Sequence, residues 1–185
     1  GAHIGLYTLP AAIKLNKGKV YAFEPASSNY NILKKHIKMN SLSNVEIFNY
    51  LVGDKEKSVT FYENKNLVNP KNSIVKVDKI SSFEPITKKQ ISLDNFFLGK
   101  NIHPNVIKID VEGAELLVLK GAEKIITKTK PKIYLSIHPQ WLENLGQSVN
   151  QLLSLIKELD YSIYDMNMNN PYKINLGEYI ILPNF

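Results

Sequence analysis

Apolar positions recur along the chain at two spacings, and the spacings alternate. From Leu6 to Leu15 they fall at helical intervals, and the run stops at Asn16-Lys17-Gly18. Pro10 fits that helix only in its first turns, where a missing N–H costs least. Lys19–Phe23 is a short continuous apolar stretch, read as a buried strand ending at Glu24-Pro25. Helical spacing returns to about Asn40 through Tyr30, Leu33, Ile37 and Met39, with Ser27 or Ser28 as cap. Val45–Val52 and Ser58–Tyr62 read as strands joined by a turn at Gly53-Asp54. Residues 63–90 are polar, hold Pro70 and Pro85, and predict irregular loop with a short strand, suited to a substrate lid.

The second half repeats the alternation. Ser92-Leu-Asp94 begins a helix over Asn95–Leu98, with Asp94 as a helix cap. Residues 105–121 then run as apolar strand, acidic glycine turn and helix, and 122–129 continue helical. Pro131–Ile137 is the next strand, ending at His138-Pro139, and Val149–Leu159 is an amphipathic helix. Tyr161–Met166 and Glu178–Leu182 are two final strands joined through Asn169-Asn170-Pro171, a strong turn signal. Strand–helix alternation closing on two successive strands predicts an α/β fold: one three-layer domain over 1–185, a mostly parallel sheet, and a terminal antiparallel hairpin.

Composition narrows the function classes. The 185 residues are 44% hydrophobic and 22% charged, an ordinary globular balance. No apolar run approaches the roughly 20 residues of a membrane span. Without cysteine there is no disulfide, thiolate metal site or cysteine nucleophile, as in a cytoplasmic protein. The net charge of +6 comes entirely from lysine; the chain has no arginine. Arginine is the usual reader of guanine edges and phosphates, so specific nucleic-acid recognition is not expected.

In doubly wound sheets the ligand lies beyond the carboxyl ends of the strands, at a glycine-rich strand-to-helix turn. Gly1, Ala2, His3 and Gly5 fit such a turn, where glycine lets the ligand approach the backbone. Glu24 follows Gly5 by 19 residues, at the tip of the next strand. A carboxylate at about that distance accepts hydrogen bonds from a ribose diol. The third glycine of the dinucleotide fingerprint is absent, which favours S-adenosylmethionine over NAD; an NAD oxidoreductase is the alternative. Asp54, past the third strand, is placed either near the adenine or in a turn.

Gly1-Ala-His-Ile-Gly5, Phe23-Glu-Pro25, Val59–Tyr62, Ser92-Leu-Asp94, Ile107–Glu115 and Lys120-Gly-Ala122 occur in the order found in FkbM methyltransferases, which the chain resembles. The resemblance implies a Rossmann-like class I methyltransferase fold. It also implies methyl transfer from S-adenosylmethionine to a hydroxyl of a sugar or secondary metabolite. The family has a strand and an acidic residue upstream of the position of Gly1. The chain is therefore expected to begin inside its cofactor loop, its first strand missing, and a truncated copy that binds only ligand or partner is a further alternative. Ser136 stands where the family often has a carboxylate, which puts in doubt any acid from that strand.

A hydroxyl acceptor needs a base near its oxygen. Asp110, Glu112 and His138 are the candidates, Asp110 also for cofactor contact. His138 has the best intrinsic pKa, although a rim histidine beside Pro139 and Trp141 is the plainer reading. Glu112 serves either as substrate contact or as turn acid, and Glu115 is explained by the helix dipole. Lys108, in an otherwise apolar strand, requires a carboxylate partner. No metal is expected. His36 and His103 read as surface residues, and an exposed sheet edge could pair copies of the chain.

Overall fold

The computed structural model describes residues 1–64, 72–74 and 83–184. They form two compact units: Gly1–Leu51 with Ser58–Lys89, and Val52–Lys57 with Gln90–Phe185.

The first unit opens with the glycine loop and α1 (Thr8–Lys14), where Pro10 does sit in the first turn. A crossover follows in which β1 (Val20–Phe23) and β2 (Val45–Phe48) pair in parallel from Val20↔Val45 to Phe23↔Phe48. The connecting helix is α2 (Ser27–Met39). Neither serine caps it. Glu63 does so from β4 (Lys57–Glu63), its Oε1 accepting the Ser27 and Ser28 N–H groups at 2.6 and 3.2 Å. The single strand expected over 45–52 is broken, with β3 (Leu51–Val52) separate from β2. Asn49 accounts for the break: its amide donates to the Glu24 and Pro25 carbonyls at 2.8 and 3.0 Å, holding the chain that leaves β1.

The expected loop is also corrected at its far end, where β5 (Glu84–Ile91) is an eight-residue strand lying between β3 and β4. Its inward positions Ile86, Lys88 and Gln90 alternate as a strand requires, but two of the three are polar and hide the pattern. Lys88 donates to Ser27 Oγ at 2.8 Å and lies 3.7 Å from Glu63. Ala26, Leu51 and Phe61 form the apolar centre of this unit, with Val59, Ile74 and Ile86 against it. The lid expectation falls mostly on 65–71 and 75–82, outside the described residues.

In the second unit, β6 (Val106–Ile109) and β7 (Lys132–Ile137) pair in parallel, joined through α4 (Glu115–Lys120) and α5 (Glu123–Thr129). A short helix, α6 (Pro139–Asn144), follows directly where none was expected; Pro139 supplies a helix start with its φ already set. Then come α7 (Val149–Glu158), β8 (Tyr161–Tyr164) and β9 (Gly177–Pro183). The terminal strands are antiparallel as expected, and the order β6-β7-β9-β8 inserts β9 between β7 and its own hairpin partner. β8 ends at Tyr164 because Asp165 accepts the Asn167 and Asn169 N–H groups at 2.9 and 2.8 Å and turns the chain. Leu116, Leu119, Ile125, Ile126, Ile133, Leu135, Ile137, Leu142 and Leu152 are fully buried and make the core.

Asp94 caps a helix, but not its own. Ser92 caps α3 (Leu93–Leu98), while the Asp94 carboxylate accepts the Lys124 and Ile125 N–H groups of α5 at 3.1 and 2.8 Å. Asp94→Ala strips both bonds from a largely buried helix start, and a loss of about 1–2 kcal/mol in urea unfolding is expected.

Candidate active site

In the first unit the glycine loop folds onto the end of β1. Ala2 N donates to Phe23 O at 2.8 Å and His3 N to Glu24 Oε2 at 2.7 Å. Glu24 is 4% exposed, and its other oxygen accepts from Ala26 N at 3.0 Å and Asn29 Nδ2 at 3.4 Å. The loop turns by left-handed backbone at His3 (φ 51°) and Gly5 (φ 104°). A β-carbon on Gly1 would stand 2.7 Å from Glu24 Oε2, so backbone and carboxylate approach here only because no side chain intervenes. Gly1, Ala2, His3, Gly5 and Glu24 are thus brought together. His36, read as a surface residue, instead meets the Ile4 carbonyl with Nδ1 at 2.8 Å. Since a carbonyl only accepts, Nδ1 carries the proton.

An adenosine-type cofactor fits the residue types present: a carboxylate held at the strand tip beside a glycine turn whose backbone approaches it closely. Glu24 and the backbone of Gly1–Gly5 would hold it. Asp54 belongs to a turn in the second unit, where its Oδ1 accepts from Gln90 at 2.8 Å and Lys57 at 3.0 Å.

In that unit β6 delivers Asp110 from its end, and the chain makes two left-handed residues in succession, Glu112 (φ 50°) and Gly113 (φ 99°). Glycine is required at 113, where a β-carbon would lie 2.7 Å from that of Trp141. A left-handed glutamate is costly by roughly 1–2 kcal/mol, a strain typical of functional turns. The turn brings Glu112 back toward β7, whose end carries His138. Its Nε2 stands 3.6 Å from Glu112 Oε2 and 3.9 Å from Asp110 Oδ1. Its Nδ1 is 2.7 Å from Glu115 Oε1, which also accepts the Gly113 N–H at 3.0 Å. An ionised carboxylate accepts only, so Nδ1 donates and the Nε2 edge is turned to Asp110 and Glu112.

Burial works against charge on the His138 ring, but the Glu115 hydrogen bond and the charges of Glu112, Glu115 and Asp110 outweigh it; its pKa is raised. Burial also raises the Glu112 pKa, with Asp110 and Glu115 adding to it and His138 opposing. Ligand atoms of Asp110, Glu112 and His138 lie within 4.8 Å of one another, close enough for one cation, yet the same spacing equally describes an imidazolium between carboxylates.

Asp110, Glu112 and His138 therefore converge. Glu115, grouped with them in sequence but explained there by the helix dipole, is fully buried behind the imidazole. The sole signal for this was its place three residues after Glu112. Lys108 finds its carboxylates as expected: Glu178 at 3.0 Å and Asp110 at 3.7 Å. The acid in doubt at Ser136 arrives from the next strand, because β7 and β9 pair Ser136 with Glu178.

The chain matches the methyltransferase FkbM domain over residues 1–163. It belongs to that family. Methyltransferase 1 of Beauveria bassiana is 29% identical over 144 residues, covering 66% of this chain and 56% of that protein. Methyltransferase sdnD of Sordaria araneosa is 29% identical over 154 residues, 67% of this chain and 59% of that protein. The chain thus spans well under two thirds of either relative. The crystal structure of methyltransferase FkbM from Methylobacillus flagellatus superposes over 98% of this chain and 41% of its own, with a TM-score of 0.62 at 20% identity. The fold is the Rossmann-like methyltransferase fold. No helix among the described residues is long and apolar enough to cross a membrane.

Proposed function

We propose that this FkbM domain transfers a methyl group from S-adenosylmethionine to a hydroxyl of a sugar or small metabolite, with His138 as proton acceptor. The observation that carries the reading is the imidazole held from behind by buried Glu115, its other nitrogen facing Asp110 and Glu112. Family membership supports methyl transfer over the NAD alternative.

S-adenosylmethionine would supply a methyl group carried on a sulfonium. Glu24 would accept hydrogen bonds from the ribose, and the Gly1–Gly5 backbone would lie along the ligand. His138 Nε2 would take the acceptor's hydroxyl proton, with Asp110 and Glu112 stabilising the imidazolium that results. Asp110 would orient the acceptor from the strand end. Apart from proton transfer, these residues mainly position the reactants and exclude water.

Calorimetry with S-adenosylmethionine, S-adenosylhomocysteine and NAD tests the cofactor. Both sulfur nucleosides should bind, and Glu24→Ala should weaken them by about 1.5–3 kcal/mol. Thermal unfolding of Glu24→Ala and Glu24→Gln separates this loss from disruption of the loop. Preference for NAD, or indifference of a folded variant to Glu24, would overturn the reading.

A further inference from the structure

Glu24 is gripped by its backbone as well as by its carboxylate, and the backbone grip comes from the end of β2. Its N–H donates to Phe48 O at 3.0 Å, and its carbonyl accepts from Asn49 Nδ2 at 2.8 Å. The same Asn49 amide donates to Pro25 O at 3.0 Å, so one side chain spans two consecutive carbonyls. Beyond it stands Lys88 of β5, whose ammonium lies 3.4 Å from Asn49 Oδ1. That contact settles which way the amide points. Carbonyls only accept and an ammonium only donates, so the nitrogen faces Glu24 and Pro25 and the oxygen faces Lys88. Lys88 is itself anchored by Ser27 Oγ at 2.8 Å and by the buried Glu63 carboxylate at 3.7 Å. The chain leaving β1 is thus held from β2, from β5 and from the end of β4.

We infer that Asn49 is a positioning residue for the Glu24 carboxylate: it ties the strand tip that carries the acid to the neighbouring strand. A carboxylate recognises a diol only when its oxygens are held within about 0.5 Å of the productive place. The Glu24 carboxylate accepts from His3 N, Ala26 N and Asn29 Nδ2. Ala26 and Asn29, however, lie on the turn and helix that follow Glu24, and they move where it moves. Phe48 and Asn49 belong to a strand whose place is fixed by its parallel pairing with β1. Both Asn49 amide protons are used, one on each carbonyl. Glu24 is nearly fully buried, so water is poorly placed to replace a lost donor there. Asn44, just before β2, provides the contrast. Its amide also donates to a carbonyl, that of Ala12 at 2.9 Å, but at the opposite end of the strand pair from Glu24.

The role depends on the proposed reaction only in taking Glu24 as the ribose contact, and two readouts keep them apart. S-adenosylhomocysteine affinity is measured by calorimetry for Asn49→Asp, Asn49→Ala, Asn44→Ala and Glu24→Ala, and amide hydrogen exchange is followed in the same chains without ligand. Asn49→Asp keeps the shape and the Lys88 contact and removes only the donors, so it serves even if Asn49→Ala does not fold. Both Asn49 variants should bind about tenfold more weakly, the loss for a charged hydrogen bond that is misaligned rather than deleted. The Ala26 N–H, which donates to Glu24 Oε1 at 3.0 Å, should exchange faster than in the wild type, measured against Leu33 within α2. Asn44→Ala should cost comparable stability in urea yet leave affinity and Ala26 exchange unchanged. Unchanged exchange at Ala26 in a folded Asn49 variant would overturn the assignment whatever the cofactor. So would wild-type affinity in Asn49→Asp where Glu24→Ala binds weakly. Indifference to Glu24→Ala, with faster Ala26 exchange in the Asn49 variants, would overturn the cofactor reading and leave the Asn49 brace standing.

Discussion

If the proposed reaction holds, His138→Gln should lower the rate of methyl transfer by about 10²–10⁴-fold while leaving S-adenosylmethionine affinity near wild type. The assay is S-adenosylhomocysteine release with a hydroxylated acceptor that turns over in a screen. The loss should fall on kcat, because the imidazole acts on a proton and the cofactor is held by other residues in the proposed reaction. The pH profile checks the assignment independently. A base must be neutral, so log kcat/KM should rise with pH through a midpoint above the usual histidine value of about 6.5, since Glu115, Glu112 and Asp110 raise the ring's pKa. Glu115→Gln removes the hydrogen-bonded charge, and the midpoint should move down. Stability responds in the same window. Protonation of a histidine with a raised folded pKa stabilises fully below the unfolded value, and the contribution is lost as pH climbs through the folded one. Glu112, also raised, adds a loss on the same side as pH passes above the ordinary carboxylate range. A flat profile, or one falling with pH, would remove His138 from the role.

Gly121→Ala should destabilise the fold by about 3 kcal/mol, although its backbone is unstrained. The residue has φ −80° at the end of α4, open to any amino acid. The obstacle is purely steric: a β-carbon would stand 1.9 Å from the Gly53 carbonyl oxygen and 3.2 Å from the Asp54 α-carbon, both main chain. Side chains can rotate aside, but two segments of backbone must move apart. The movement would reach further, because the Gly121 carbonyl accepts the Asp94 N–H at 2.8 Å. Gly18→Ala is the contrast: its φ of +108° disfavours a side chain, but nothing lies within 4 Å. Urea midpoints at unchanged m should separate the two, with Gly18→Ala costing about 1–2 kcal/mol. Similar midpoints for both would mean that the close approach at Gly53 relaxes freely.

Elements that bury apolar faces were legible in the sequence. β1, β6 and β7 announce themselves as short apolar runs, and α7 by its helical stripe. β5 was legible only as an unplaced short strand, because Lys88 and Gln90 face inward and are stabilised by partners far away in sequence, Glu63 and Asp54. α6 was lost because a six-residue helix offers too few turns for a period to show. In the site, the acids around Gly113 and the histidine after β7 could be singled out by type and spacing. What Glu115 and Glu178 do could not. One depends on a side chain folding back from the first turn of α4, and the other on which residue of β9 stands beside Ser136. Both are facts of register. The role of Asp94 shows the same limit, since its residue type reveals a cap but not which helix is capped.

The intercalation of β9 has a kinetic consequence. β8 touches the four-stranded sheet through β9 alone. Those two can zip together as a local hairpin in microseconds, but the sheet is completed only when that hairpin docks on β7, a pairing of residues 40 to 48 apart in sequence. Loop closure must be overcome before that docking is rewarded. Glu178 arrives with it. Lys108 thus gains its nearer carboxylate in a late, non-local step of folding.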